Sequence, residues 1–149
     1  MISCIAASMM VAASCEKVEI ETNNIDGAVA GVWELTEASA EGKPIDQYEV
    51  FLHLAPEGHF ELYQKSGTQT RYDLFTGTYT TENGIINGVY SDGKPWGGKY
   101  TYTVSDENLT LESFNLLEVQ KYKRSALPDE VIDNANAVVT KAGSSTPIL

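Results

Sequence analysis

Cysteine and positive charge are both scarce in this sequence. Among its 149 residues there are two cysteines, and ten Lys and Arg residues stand against 21 Asp and Glu, for a formal net charge of −11. Two cysteines are too few for a fold that depends on disulfides. A chain this acidic is repelled by phosphate backbones and by anionic lipid surfaces. We therefore expect no nucleic-acid partner and no membrane binding through a basic patch.

Aromatic residues are missing from both ends of the chain. The two Trp, eight Tyr and four Phe residues all lie between Trp33 and Tyr122. Aromatic side chains supply much of the buried area of a small core, and a chain of this length has room for one domain. We therefore assign the folded domain to residues 31–124.

The sequence also lacks an apolar run long enough to cross a bilayer as a helix. Residues 1–14, MISCIAASMMVAAS, carry no charge and fit the apolar part of an export signal, although the usual positive start is missing. Small residues stand directly before Cys15, and a charged run follows it at once. This border resembles the lipobox of bacterial lipoproteins. A plain secretory signal with a chance cysteine is the alternative.

The lipobox resemblance implies an anchored protein. Residues 1–14 would then be a signal peptide, removed together with Cys4, and Cys15 would carry the lipid that attaches the protein to a membrane. Residues 15–30 are acidic and without aromatics, which is typical of a flexible tether. We expect a location in the bacterial cell envelope, at the outer membrane, on either its periplasmic or its surface face.

Short β-rich runs alternate with turn signals inside the domain. Eight strands are predicted, over residues 32–38, 48–54, 59–64, 72–80, 85–90, 99–104, 109–114 and 116–122. Their even spacing and the alternation of apolar with polar residues favour an all-β meandering barrel or sandwich. In the extension 125–149, an apolar stripe predicts a short helix over residues 129–140, and residues 143–149 are expected to be frayed.

The first strand opens with Gly31-Val32-Trp33, which resembles the G-x-W signature of lipocalins and related calycin barrels. The pieces APEGHFELYQ, GTYTTENGIINGVYSDG, WGGKYTYTV and ENLTLES are similar to short bacterial lipocalin-like lipoproteins. The resemblance implies an eight-stranded antiparallel up-and-down β-barrel with Trp33 at its closed end. It also implies a basic residue of the last strand, Arg124 or Lys123, stacked across that indole.

Alternation within the strands selects an inward face for this barrel. In the strand over residues 72–80 a shift of one residue would turn Leu74 inward instead of Phe75. The residues expected to line a ligand cavity are Leu52, Phe60, Leu62, Phe75, Tyr79, Tyr100, Tyr102 and Leu111.

Two non-catalytic functions follow from this reading. The first is binding of a small apolar or amphipathic ligand in the barrel mouth. The second is a protein-interaction or assembly role for a lipoprotein whose barrel is filled by its own aromatics. The loop over residues 91–98 carries Trp96, which either contacts a partner or folds down and plugs one barrel end.

Residues for catalysis or for holding a cofactor are not apparent. His53 and His59 flank a turn with Glu57 and Glu61 nearby, but a third well-spaced metal ligand is not evident, and we interpret both histidines as surface residues. Nucleophile elbows, metalloprotease helices and phosphate-binding loops are absent from the sequence. We expect no cofactor and no enzymatic activity, with an unrecognised hydrolase as the remaining alternative.

Overall fold

The computed structural model describes residues 25–44, 48–114, 117–138 and 147–149. A 3-10 turn, Gly27–Val29, precedes the strands, and a short helix, α1 (Asp129–Asp133), follows the last long strand. The strands are β1 (Gly31–Ala40), β2 (Lys43–Pro44), β3 (Tyr48–Leu54), β4 (His59–Ser66), β5 (Tyr72–Glu82), β6 (Ile85–Tyr90), β7 (Tyr100–Ser105), β8 (Asn108–Ser113), β9 (Glu118–Arg124) and β10 (Ala135–Ala137).

Eight of these strands close into one antiparallel barrel. Running from β1 through β3 to β9, each long strand pairs with the next, and β9 returns to pair with β1 over Arg124↔Trp33 through Glu118↔Ala40. Closure leaves no unpaired sheet edge along the circuit. The predicted eight-stranded antiparallel up-and-down barrel with a short C-terminal helix is confirmed. The short strand β2 pairs with the end of β1.

Tight turns join most neighbouring strands, as the turn residues predict. Between β5 and β6 the residues Asn83 and Gly84 both adopt positive φ, at 54° and 79°. Two successive residues in this region form the turn that suits the right-handed twist of a hairpin, and Asn-Gly is the pair that adopts it most readily.

Side-chain alternation divides the apolar residues between an inner and an outer cluster. The inner cluster fills the barrel, whereas Phe51, Tyr63 and Tyr72 lie on the outer face and pack against Val131 of α1. The C-terminal extension therefore covers the barrel wall, with Val131 as its buried contact.

The predicted helix over residues 129–140 is shorter than expected. It ends at Asp133, and Ala135–Ala137 forms β10, which runs parallel to the start of β5. The pairing of β6 with β5 begins only at Gly77, so β6 does not cover the first residues of β5 on that side. Because unpaired backbone groups are costly to bury, β10 takes the place that β6 leaves open.

The barrel wall between β6 and β7 is completed by a loop. Only two residue pairs join these strands, and the loop that follows β6 turns back along it, with a bridge from Val89 to Pro95. The Trp96 amide donates to Gly88 O at 2.9 Å, and the indole lies buried against the bare backbone of Gly88. This placement corresponds to the alternative in which Trp96 folds inward.

Candidate functional site

One end of the barrel is closed by Trp33 and Arg124. The Trp33 side chain is fully buried, and its Nε1 donates to Val29 O at 2.8 Å. The Arg124 guanidinium lies over the indole, with Cζ 4.2 Å from the ring centroid, and donates to Ala30 O and Ala28 O at 2.9 and 3.0 Å. Of the two basic residues considered, Arg124 thus faces Trp33, while Lys123 is exposed and pairs with Glu34 at 3.9 Å.

The glycine before this tryptophan is required by the same arrangement. Gly31 has φ +132°, a region that L side chains rarely adopt, and an added Cβ would lie 2.7 Å from Arg124 Nη1. The G-x-W signature therefore combines a backbone that leaves room for the guanidinium with the ring on which it stacks.

Residues 25–30 also close this end, although the sequence analysis assigns them to the tether. Val29 is fully buried and Ile25 packs on the inner cluster. Asp26 accepts from Tyr102 Oη at 2.8 Å, and its backbone amide donates to Thr81 Oγ1 at 2.7 Å. The packed part of the chain thus begins by residue 25.

Seven of the eight residues expected to line the interior belong to the inner cluster and are at most 2% exposed. The eighth, Tyr102, is half-buried at the closed end and packs on the edge of the cluster. Phe75 lies inside the barrel and Leu74 packs outside it, which resolves the register of β5. The inner cluster also holds residues that the sequence analysis did not select: Val50, Leu54, Ile86, Tyr90, Trp96, Leu109, Tyr122 and Leu149.

Aromatic rings occupy the middle of the barrel. Phe60 meets Trp96 and Tyr90 edge-on, with ring centroids 5.3 and 5.5 Å apart, and Tyr90 meets Phe75 at 6.0 Å. Edge-to-face contacts at these separations are favourable beyond the area that they bury. The Trp96 Nε1 is buried with no hydrogen-bond partner among the described residues.

The other end of the barrel, which we call the mouth, contains buried polar groups. Gln64 and Gln120 are both fully buried on the inner side of β4 and β9. Gln120 Oε1 accepts from Tyr122 Oη at 2.5 Å, and its Nε2 donates to Glu118 Oε2 at 3.0 Å. The Tyr100 hydroxyl donates to the other oxygen of Glu118 at 3.4 Å. Burial raises the pKa of both tyrosines above the usual value, so both hydroxyls keep their protons at neutral pH.

Ile148 and Leu149 occupy this polar mouth, in contrast to the frayed end that the sequence predicts. Leu149 is 4% exposed and belongs to the inner cluster. The Ile148 amide donates to Gln64 Oε1 at 2.8 Å, and Gln120 Nε2 donates to Ile148 O at 3.0 Å. The Tyr90 hydroxyl donates to the main-chain oxygen of Leu149 at 2.7 Å. Residues 143–146 lie outside the described residues.

An open groove of about 300 Å³ adjoins the mouth. It shares Tyr100 and Glu118 with the polar network, and Phe114 and Leu117 on its wall are 56% and 47% exposed. The mouth therefore combines an exposed apolar rim with hydrogen-bonding groups deeper inside.

The histidines lie on the outer surface at the closed half of the barrel. His53 Nδ1 is 3.2 Å from Glu61 Oε1 across β3 and β4, and His59 is exposed. Within the part of the chain that the structure describes, no three His, Cys, Asp or Glu residues are grouped to hold a metal ion. Cys15, the expected site of lipid attachment, lies outside the described residues. In the described ranges, helices with the length and apolar character to cross a membrane are absent.

Comparisons with known proteins agree with the barrel. Residues 29–111 match the family model of the lipocalin-like domain. The structure is similar to that of lipoprotein YedD from Klebsiella pneumoniae subsp. pneumoniae MGH 78578, with a TM-score of 0.50 and 13% identity over 75% of this chain and 85% of that chain. At this identity the likeness concerns the fold alone. No curated protein matches the chain in sequence.

Two further barrels resemble it more distantly. A de novo designed fluorescence-activating β-barrel gives a TM-score of 0.41 at 16% identity, covering 66% of this chain and 94% of its own. A mutant of the fluorescent protein UnaG gives 0.41 at 14% identity, covering 67% of this chain and 98% of its own.

Proposed function

Because the chain belongs to the family of lipocalin-like domains, we propose that it is a non-catalytic binding protein that holds a small amphipathic ligand at the mouth of its barrel. The observation that carries this proposal is the set of buried polar side chains at the mouth. Gln64, Gln120 and Tyr90 are at most 4% exposed and surround an otherwise apolar interior. A few placed polar groups in an apolar concavity are typical of a small-molecule site.

The ligand would enter where the groove opens beside Phe114 and Leu117. An apolar part would replace Leu149 against the inner cluster, and a polar part would bond to the glutamine amides. An uncharged polar group fits best, because two carboxylates already lie at the mouth: that of Glu118, held by Tyr100 and Gln120, and that of Asp73, which is 3% exposed and pairs in register with Gln64. A ligand carboxylate beside Glu118 would be repelled.

The test is ligand capture with a matched pair of tyrosine variants. Tyr90→Phe removes the hydroxyl inside the mouth, and Tyr63→Phe removes one on the outer face, where it donates to Glu61. The purified proteins are incubated with a lipid extract of the host cell, repurified and examined by native mass spectrometry. We expect bound mass on the native chain and on Tyr63→Phe, and much less on Tyr90→Phe. Unliganded protein in all three samples would contradict the proposal.

A second candidate function is protein interaction or assembly. It is favoured by the close packing of the inner aromatic cluster together with the exposed Phe114 and Leu117 at its rim. Large exposed apolar side chains grouped on one surface are typical of contact sites. A failure of every sample to capture a small molecule would favour this function.

We further propose that residues 1–14 are a signal peptide, that Cys15 is lipidated, and that the protein is anchored in the cell envelope by a tether preceding residue 25. Small residues before Cys15 and charged residues after it support this proposal. Cys15→Ala should abolish labelling by a radioactive fatty acid and release the protein from the membrane fraction. Cys4→Ala is the control and should label as the native chain does. Equal labelling of Cys15→Ala would contradict lipidation.

A further inference from the structure

Trp96 is the buried residue of the loop over residues 91–98 and the one that enters the barrel. Its side chain is 3% exposed, whereas the other seven residues of the loop are exposed or half-buried. The indole lies edge-on to Phe60 and Tyr100, with ring centroids 5.3 and 6.3 Å away, and its third side is the backbone of Gly88. We call the flat space between these three residues the slot.

The indole fits the slot in shape but not in hydrogen bonding. Its Nε1 is buried and has no hydrogen-bond partner among the described residues. A buried donor without an acceptor costs a large part of its desolvation energy. A ring made of carbon alone would make the same edge-on contacts without that cost. The slot therefore suits a flat hydrocarbon ring better than it suits the indole of Trp96.

The loop that carries Trp96 is held lightly. β6 and β7 share two residue pairs, and beyond them the loop itself closes the barrel wall. The main chain of Trp96 is joined to β6 through its amide, which donates to Gly88 O at 2.9 Å. Among the described residues, an added Cβ at Gly97 or Gly98 would meet no atom within 4 Å, so the backbone after Trp96 is loosely surrounded. Outward rotation of Trp96 thus leaves the pairing of β6 with β7 intact.

We propose that the slot is the seat of a flat, uncharged ring of the bound ligand, and that Trp96 is a plug that turns outward to admit it. This inference rests on the proposed binding function and names its ligand class. The open groove beside the mouth is lined by Gly97, Gly98 and Tyr100, so it adjoins both the backbone that follows the plug and one wall of the slot. A ligand whose polar group stays at the mouth can therefore place its ring in the slot.

The width of the slot limits what it accepts. An added Cβ at Gly88 would lie 2.3 Å from the Trp96 ring, so the planar indole already rests directly on the bare backbone. A saturated or branched ring is thicker than an indole and would collide with that backbone. A flexible chain gives up more conformational freedom in such a space than a rigid ring does. The expected occupant is therefore an aromatic group of one or two fused rings.

The experiment uses 2-naphthol and 1-decanol as probes. Both are uncharged alcohols with the same number of carbon atoms, and 2-naphthol alone is flat and cyclic. Calorimetry measures binding, and the indole N–H signals of ¹⁵N-labelled protein report on the plug. Trp33, whose Nε1 donates to Val29 O, is the internal reference. We expect 2-naphthol to expose the Trp96 N–H to exchange with water and to leave the Trp33 signal unchanged. We expect 1-decanol to leave both signals unchanged.

A disulfide across the loop keeps the plug in place. Val89 and Pro95 form the bridge between β6 and the loop, and both side chains are exposed. Hydrogen bonds flank this pair on either side without joining it. Such pairs have Cα atoms about 4.5 Å apart, within the range of a disulfide. In a chain with Cys4→Ala and Cys15→Ala, the oxidised Val89→Cys/Pro95→Cys variant should not bind 2-naphthol, and reduction should restore binding.

Three single substitutions test the slot itself. Trp96→Ala should bind 2-naphthol at least ~10-fold more tightly than the native chain, because no displacement precedes binding. Gly88→Ala should weaken binding on the order of 10-fold, because the added methyl group narrows the slot. Gly27→Ala is the matched control: an added Cβ there meets no described atom within 4 Å, and binding should equal that of the native chain. If Trp96→Ala does not fold, the disulfide variant is decisive by itself.

Two outcomes would overturn the inference directly. 2-Naphthol could bind while the Trp96 N–H stays protected, or it could bind the oxidised and reduced disulfide variant equally well. Binding of 1-decanol without binding of 2-naphthol would remove the ring inference and leave the proposed binding function standing. If neither probe binds the native chain or Trp96→Ala, the inference also fails, and the capture of host ligands by native mass spectrometry decides the proposed function separately.

Discussion

The two ends of the barrel are completed by different parts of the chain. At the closed end, the Trp33 indole bonds to Val29 four residues earlier, and Arg124 crosses it from the neighbouring strand β9. At the mouth, Gln64 bonds to Ile148, which lies 84 residues further along the chain. The closed end is an intrinsic part of the barrel, whereas the mouth is completed by a separate segment. The first end is therefore fixed by β1, β9 and the residues directly before β1, whereas the second depends on the last residues of the C-terminal extension.

The largest expected effect is at the closed end. Trp33→Ala should lower the free energy of unfolding by about 3–5 kcal/mol, because it empties a fully buried site between Val29 and Arg124. Urea unfolding followed by circular dichroism measures the change. Phe114→Ala, at a side chain that is 56% exposed, is the aromatic control and should change stability by less than about 0.5 kcal/mol.

A double-mutant cycle sharpens the same prediction. Arg124→Ala should cost less than Trp33→Ala, and the two losses together should fall short of their sum by about 0.5–3 kcal/mol because the residues share one contact. Strictly additive losses would mean that the stacking seen between the guanidinium and the indole contributes nothing to stability.

A smaller effect is expected at the mouth. Leu149→Ala should lower the free energy of unfolding by about 2 kcal/mol, at the low end for a buried leucine, because Leu149 lies at the mouth of the barrel rather than in its middle. Ile132→Ala, at a side chain that is 48% exposed on α1, is the aliphatic control. A loss at Leu149 as large as that at Trp33 would remove the distinction between the two ends.

A further effect appears only at alkaline pH and involves both ends. Burial, together with the charge of Glu57, raises the pKa of Tyr79 at the closed end to about 12. Burial raises the pKa of Tyr90 at the mouth further still, with Tyr100 and Asp92 adding to the shift. In the unfolded chain both tyrosines ionise near the ordinary pKa of 10.0, so their contribution to stability is complete below that pH.

The contribution is lost as the pH rises from about 10 to about 12 and beyond, since the unfolded chain then releases protons that the folded chain retains. Each such tyrosine lowers the free energy of unfolding by about 1.4 kcal/mol per pH unit in that interval. Urea unfolding at a series of pH values measures the slope. Tyr79→Phe should reduce it, whereas an unchanged slope would show that Tyr79 titrates normally in the folded state.

Several features of the fold follow directly from local sequence. The Asn83-Gly84 turn and the inward parity of Phe75 and Tyr79 are each decided by neighbouring residues, and sequence patterns report on neighbours. The observed strand ends differ from the predicted ones by a few residues, because pairing with a partner strand sets where a strand stops. The helix predicted over residues 129–140 is present but ends at Asp133, because Ala135–Ala137 pairs with the start of β5.

No local sequence pattern of this kind indicated the polar mouth. Gln64 and Gln120 follow the inward parity of their strands, but glutamine is usually exposed, and the alternation rule selected apolar residues only. Burial of Ile148 and Leu149 depends on Tyr90, Gln64 and Gln120, which stand on three separate strands. Their convergence is a property of the closed barrel rather than of any segment.

By itself the sequence determined the all-β class and the number and order of the long strands, because alternation and turn residues act over a few positions, and the G-x-W resemblance implied the Trp33 end. Only the tertiary structure decided that Trp96 folds inward, that residues 25–30 join the closed end, and that Ile148–Leu149 fills the mouth. These choices depend on the space and the unpaired hydrogen-bonding groups that remain once the barrel has closed, and a linear sequence does not display either of them.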